Sequence, residues 1–205
     1  MLKVNNLNLV LSGISILKNI SFNLEEGKIL HLEGNNGSGK SSLLRCIMGI
    51  YQQFDGEIII DNHKVGINTI KEYAPLMSFF IDTDFCYPYL SVKDNLKIFR
   101  YYSNVLSNSP ELMALIEGFG LLNVNDEKVH KISAGYKQKL EIIISLLNEG
   151  SYVLLDEPTV NLDKASIDKL YQYIINTAKN KGTSYIIVSH NDPAVQIMSN
   201  QTISL

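Results

Sequence analysis

Gly34-Asn35-Asn36-Gly37-Ser38-Gly39-Lys40-Ser41-Ser42 has the spacing of a phosphate-binding loop, and the residues on either side give it the right setting. Before it, Lys28-Ile29-Leu30-His31-Leu32-Glu33 is β-branched and apolar, which predicts a strand. After it, Ser42-Leu43-Leu44-Arg45-Cys46-Ile47-Met48 repeats apolar residues at helical spacing. A strand, a glycine turn and a helix in that order place the loop at a helix N-terminus, where free N–H groups and the helix dipole attract an anion. The glycines let successive N–H groups turn inward without a Cβ in the way. Lys40 then reaches the outer phosphates, and the Ser41 hydroxyl is placed for Mg²⁺. The stretch predicts an α/β fold with a nucleoside triphosphate site at Gly34, Asn35, Asn36, Gly37, Ser38, Gly39, Lys40, Ser41 and Ser42.

Composition limits what else the chain does. Its 205 residues are 45% hydrophobic and 19% charged, ordinary for one globular domain with a sizeable core. The net charge of −3 offers no basic footprint for a nucleic-acid backbone, so no direct nucleic-acid partner is expected. No apolar run approaches the ~18–20 residues of a membrane-spanning helix. The opening Met1-Leu2-Lys3-Val4-Asn5-Asn6 lacks the apolar core of a signal peptide. Cys46 and Cys86 have no metal-ligand spacing and read as buried or free thiols in a reducing compartment. The expectation is a cytoplasmic protein whose membrane role, if it has one, comes through a partner.

Along the chain, residues 2–33 read as three β segments with turns at Ser12-Gly13 and Glu25-Glu26-Gly27. Further strands are expected at 56–62 and 76–81. From about residue 84 the pattern turns helical: Ser91 caps a helix through about Arg100, Ser109-Pro110 opens one to about Phe119, and Ser133 opens one to Leu147. Strand and helix then alternate, with strands at Tyr152–Asp156 and 184–189 around a helix at Lys164–Lys181 that Gly182 closes. A short final helix precedes Thr202-Ile203-Ser204-Leu205. The two strands are continuously apolar, as buried parallel strands are. The whole reads as a parallel α/β core, an antiparallel β portion near the N-terminus, and a helical insert at about 82–145.

Tyr152-Val153-Leu154-Leu155-Asp156-Glu157-Pro158 is an apolar strand ending in two acids. Acidic turns after strands are common. With a phosphate loop upstream, the carboxyl end of such a strand faces the nucleotide and is where a magnesium-holding Asp belongs. Asp156 takes that role, directly or through water. Glu157 is then placed to orient and deprotonate an attacking water, worth roughly 10²–10⁴-fold in rate.

Taken together, GNNGSGKSS, ISAGYKQKLEI, YVLLDEPTVNLD and IIVSHND resemble the ATP-binding cassette (ABC) ATPase family over essentially the whole chain. The resemblance implies a P-loop NTPase core of the ABC ATPase fold and ATP hydrolysis with Mg²⁺. It also implies a head-to-tail homodimer, or a paired ABC subunit, around two ATP molecules. A separate integral membrane permease would be driven by its closing and opening, with the chain peripheral on the inner face of the membrane. Ile132-Ser133-Ala134-Gly135-Tyr136 sits where the family carries its signature. Ser133, Ala134 and Gly135 there open a helix N-terminus that is implied to clamp the γ-phosphate held by the other subunit. Asn161-Leu162-Asp163 matches the loop that crosses the dimer interface, which assigns Asp163 to the composite site. His190 matches the histidine that contacts the γ-phosphate.

Three positions depart from the family pattern. Asp82 stands where a Gln usually touches Mg²⁺ or the water, and is a candidate metal ligand. Leu11 stands where an aromatic usually stacks on adenine, leaving only apolar contact. Ala134 and Tyr136 replace Gly and Gln in the signature. These bear on turnover more than on nucleotide binding. Phe85, Tyr87, Tyr89, Phe99, Tyr101 and Tyr102 are expected to crowd together in the helical insert near the coupling surface. The compact length, the Ser-Ala-Gly signature and the missing aromatic are similar to the ATPases of the cytochrome c maturation haem-exporter type. Alternatives are a soluble non-transport ABC ATPase, of the iron–sulfur assembly or nucleic-acid kind, and a nucleotide-binding module of low turnover.

Overall fold

Two sheets share the chain. The computed structural model describes residues 1–81, 84–103, 109–190 and 192–205. Strands β1 (Leu2–Leu11) and β2 (Ile14–Leu24) pair antiparallel across the Ser12-Gly13 turn, and β4 (Asp55–Ile60) pairs antiparallel on the other side of β1. A short β5 (His63–Lys64) completes this sheet in the order β2-β1-β4-β5. The second sheet is parallel: β6 (Met77–Phe80), β7 (Tyr152–Asp156), β8 (Ser184–Val188), β3 (Ile29–Glu33) and β9 (Gln201–Ser204), in that spatial order.

Both faces of the parallel sheet are covered, which is why its strands read as unbroken apolar runs. Val153, Leu155, Tyr185 and Ile187 face one core with helices α4 (Pro110–Gly118), α5 (Ala134–Leu146), α6 (Lys164–Lys181) and α7 (Pro193–Met198). Leu30, Leu32, Leu154, Ile186 and Val188 face the other, packed on α1 (Lys40–Ile47) and on Leu2, Val4, Leu7 and Leu9 of β1. The two-residue side-chain period of a strand divides each run between the two cores.

The expected strand at 56–62 is shorter. Asp61 and Asn62 take positive φ, 44° and 72°, and form the turn of a hairpin into β5. Asp and Asn tolerate that region, and a two-residue turn with φ positive at both positions matches the strand twist. A short helix α2 (Ile70–Tyr73), not foreseen, precedes β6.

Between β6 and β7 lie α3 (Val92–Tyr102), α4 and α5. Each starts on a serine: Ser91 accepts from Asp94 N–H at 3.1 Å, Ser109 from Leu112 N–H at 3.4 Å and Ser133 from Tyr136 N–H at 3.3 Å. The aromatics of this region divide into three groups instead of one cluster. Phe99 packs on Phe85 and Tyr87, Tyr89 on His130, and Tyr101 on Tyr102. The division follows the secondary structure, since 101 and 102 lie on the exposed end of α3 while 85–89 lead into the helix.

Candidate nucleotide site

The glycine loop joins β3 to α1 with glycine at two positions that nothing else fits. Gly39, the N-cap of α1, has φ 101°, and a Cβ there would sit 2.8 Å from Leu17 Cδ2 and 3.1 Å from the Ile16 carbonyl oxygen. Gly34 has φ 152°, and its Cβ would meet Ser38 Oγ at 2.6 Å and the Leu205 carbonyl oxygen at 2.7 Å. Asn35, Asn36 and Gly37 form the exposed crest, with Ser38, Ser41 and Ser42 half-buried. Lys40 is buried, and its ammonium donates to the Gly34 and Asn35 carbonyls at 2.7 and 3.0 Å. Both partners are neutral, so the cation stays uncompensated, which favours a bound anion. Ser38 Oγ is buried with no hydrogen-bond partner, a second sign that the loop is shaped for a polar guest.

The carboxyl ends of three neighbouring strands meet this loop. Asp156 ends β7 in register with Val188 of β8, which pairs with Leu32 of β3. Ser41 Oγ donates to Asp156 Oδ2 at 2.7 Å, across 115 residues of sequence. Glu157 follows at φ 48°, with its N–H donating to the Val188 carbonyl at 3.0 Å. His190 lies exposed just beyond β8. The residue before it, Ser189, is buried and its Oγ lies 2.9 Å from Nε2 of the buried His31.

Two cavities adjoin at Ser41, Asp156 and Glu157. One, of about 370 Å³, is walled by Ile16, Gly37, Gly39, Lys40 and Ser42. The other, of about 590 Å³, runs beneath α5 past Ala134, Lys137, Gln138 and Glu141. A smaller cavity of about 280 Å³ lies at the opposite, amino ends of the strands, beside Ser78, Tyr152 and Thr177, and neither the glycine loop nor Asp156 and Glu157 line it.

Ser133 and Ala134 are exposed at the start of α5, and Ala134 is the first helical residue, a conformation any L-residue adopts. Gly135 packs so closely on the loop after β7 that a Cβ would stand 2.8 Å from the Asn161 carbonyl oxygen. Asp163 caps α6, accepting from Ser166 N–H at 2.9 Å, and pairs with Lys139 at 2.6 Å. The Lys139 hydrogen bond, with those from Ser166, holds its carboxyl well below the usual carboxylate range. Asp163 is thus bound to α5 of its own chain. The Lys139 ammonium also stands 5.1 Å from the centroid of the Tyr136 ring. Leu11 ends β1 half-buried, and Asp82 lies outside the described residues. Sequence reasoning passed over Gln138 and Lys139, which join α5 to the loop after Glu157. Nothing distinguishes them from other polar residues of a helix until the partner loop is in place.

Known proteins of similar sequence and similar fold assign the family. The family model described as ABC transporter matches residues 17–160. The lantibiotic transport ATP-binding protein SrtF of Streptococcus pyogenes is 32% identical over 190 residues, spanning 93% of this chain and 80% of that protein. The cytochrome c biogenesis ATP-binding export protein CcmA of Reclinomonas americana is 30% identical over 199 residues, 93% of this chain and 85% of the relative. Among solved structures, the dimeric post-hydrolysis state of the ATP-binding cassette MJ0796, with ADP and Pi, has a TM-score of 0.85 at 23% identity and covers 100% of this chain and 94% of that one. The chain belongs to the ABC transporter family and is an ATPase of its ATP-binding cassette kind.

Proposed function

We propose that this chain powers a membrane transporter by hydrolysing ATP in a site shared between two copies. The observation that carries the proposal is the 2.7 Å bond from Ser41 Oγ to Asp156 Oδ2, which joins the glycine loop to the acid pair. Residues 34–42 would cradle the phosphates, with Lys40 turning from its two carbonyls to the outer phosphate oxygens. Ser41 and Asp156 are hard oxygen donors that suit Mg²⁺, which when bound would neutralise charge on the phosphates. Asp82 remains a further candidate ligand from outside the described residues. Glu157, half-buried beside Asp156, would take the proton of the attacking water, and His190 would face the terminal phosphate.

The second half of each site would come from a partner copy, whose exposed Ser133 and Ala134, with the half-buried Gly135, would close on the γ-phosphate with Asp163 nearby. The dimeric assembly of MJ0796, which has the same fold, supports this reading. The helical insert at 82–145 would serve as a lobe that docks an integral membrane permease on the cytoplasmic side. Exposed Tyr89, Tyr101 and Tyr102 suit such a contact. Relatives named for lantibiotic transport and for export support a transport role, and the permease would set what is carried.

The test is Glu157→Gln, which keeps volume and removes the base. ATP hydrolysis should fall by about 10²–10⁴-fold. ATP-bound protein should accumulate as a dimer, seen by light scattering at twice the monomer mass. A variant that hydrolyses at the parental rate overturns the role of Glu157.

A further inference from the structure

Glu157 holds a left-handed backbone, φ 48°, which a non-glycine residue keeps only where its surroundings over-determine it. On its amino side the restraint is the bond to the Val188 carbonyl, at 3.0 Å. On the other side comes Pro158, which has no N–H and offers only its carbonyl as a handle. That carbonyl accepts from Nε2 of the buried Gln138 at 2.8 Å. The other end of the same amide, Oε1, accepts from Asn161 Nδ2 at 3.2 Å. Asn161 is the second left-handed residue of the loop, φ 64°. One side chain thus ties down the loop at the residue after Glu157 and at Asn161. Within the loop the backbone is only lightly bonded: Val160 N–H to the Glu157 carbonyl at 3.4 Å, and Leu162 N–H to the Thr159 carbonyl at 3.1 Å.

We propose that Gln138 is a positioning residue that aims the Glu157 carboxylate, and that it links the helix opened at Ser133 to the base of the reaction. The proposal rests on the reading of Glu157 as that base. A glutamine is required because one end must donate and the other accept. Glutamate of the same shape retains acceptance from Asn161 and loses donation to Pro158. Leucine loses both. Gln138, Asn161 and Glu157 line one cavity with Ser41 and Asp156, so a shift of α5 is felt where the water must sit. Gln138 acts through Pro158 and touches no reacting atom.

The test uses the full chain with ATP and Mg²⁺. Gln138→Glu and Gln138→Leu should each lower kcat by about 10-fold or more, part of what the base itself supplies. KM for ATP should stay within about twofold, since phosphate binding is untouched. In a Glu157→Gln background, measured by single-turnover hydrolysis, adding Gln138→Glu should give no further loss, because both changes act on one group. A parental kcat in Gln138→Glu overturns the proposal. So does a full repeat of the loss in the Glu157→Gln background, or a raised KM with kcat unchanged. Should both Gln138 variants fail to fold in thermal unfolding, Asn161→Gly keeps the positive φ and removes half of the bridge. It should then show a smaller fall in kcat at constant KM, and an unchanged kcat there overturns the proposal. The underlying assignment fails separately, if Glu157→Gln alone retains the parental rate.

Discussion

Lys40 shows at the residue scale how a buried charge marks a ligand. An ammonium taken out of water costs free energy unless it is matched, and two carbonyl oxygens match it only in part. A phosphate completes the match with charge-assisted hydrogen bonds. Lys40→Ala should therefore weaken ATP binding by about 2–4 kcal/mol. The fold should survive, because position 40 opens α1 and alanine is the best helix former. Calorimetry that finds equal ATP affinity for variant and parent contradicts the assignment. The same logic explains the orphaned Ser38 Oγ, whose partner the chain does not provide.

Among the elements, α5 carries the most contacts with function in view. Its N-terminus is exposed at Ser133, and its first two turns clamp the loop after β7 through Gly135, Gln138 and Lys139. Gly135→Ala sets two effects against each other. Helix propensity alone favours alanine by about 0.8–1 kcal/mol. A Cβ at 2.8 Å from the backbone oxygen of Asn161 forces helix and loop apart, and overpacking of that kind costs about 1–3 kcal/mol. Because the obstructing atom is main chain, the clash should win: urea unfolding should show lower stability, and ATPase activity should fall. A stabilised Gly135→Ala would mean that the clamp is loose. The Lys139 pair has a pH signature as well. The folded-state pKa of Asp163 is lowered, so the stability it lends is full at neutral pH and fades as pH falls below the usual carboxylate range. Its carboxylate is over half exposed, so the contribution is modest.

For the whole molecule, the shared site makes a geometric prediction. If the N-terminus of α5 closes on a phosphate bound by another copy, cysteines introduced by Ser38→Cys and Ser133→Cys should cross-link between chains. The product should form only with ATP and Mg²⁺ present. The native thiols will not interfere. Burial pushes Cys46 up to about 12, and burial with the nearby Glu141 carboxylate does the same for Cys86, so neither is a thiolate at neutral pH. A purely intrachain product, or one indifferent to nucleotide, rules out the head-to-tail dimer. No helix among the described residues is long and apolar enough to cross a membrane.

Local chemistry made much of this legible from the residues alone. Glycine spacing, serine and aspartate caps and continuous apolar strands are short-range signals, and the glycine loop, the helix at Lys164–Lys181 and the strand at Tyr152–Asp156 stand where those signals put them. The hairpin at Asp61-Asn62 was missed because its turn residues were read as the end of a strand. What tertiary structure alone decided is which distant groups meet. Ser41 reaches Asp156 because β3 and β7 flank β8 in register. Gln138 finds Pro158 and Asn161 because α5 packs on the loop that leaves β7. A sequence pattern records the preferences of neighbours along the chain. A contact between 138 and 158 depends on how helices and strands stack, and on a loop held at Glu157 in a left-handed conformation that glutamate does not prefer.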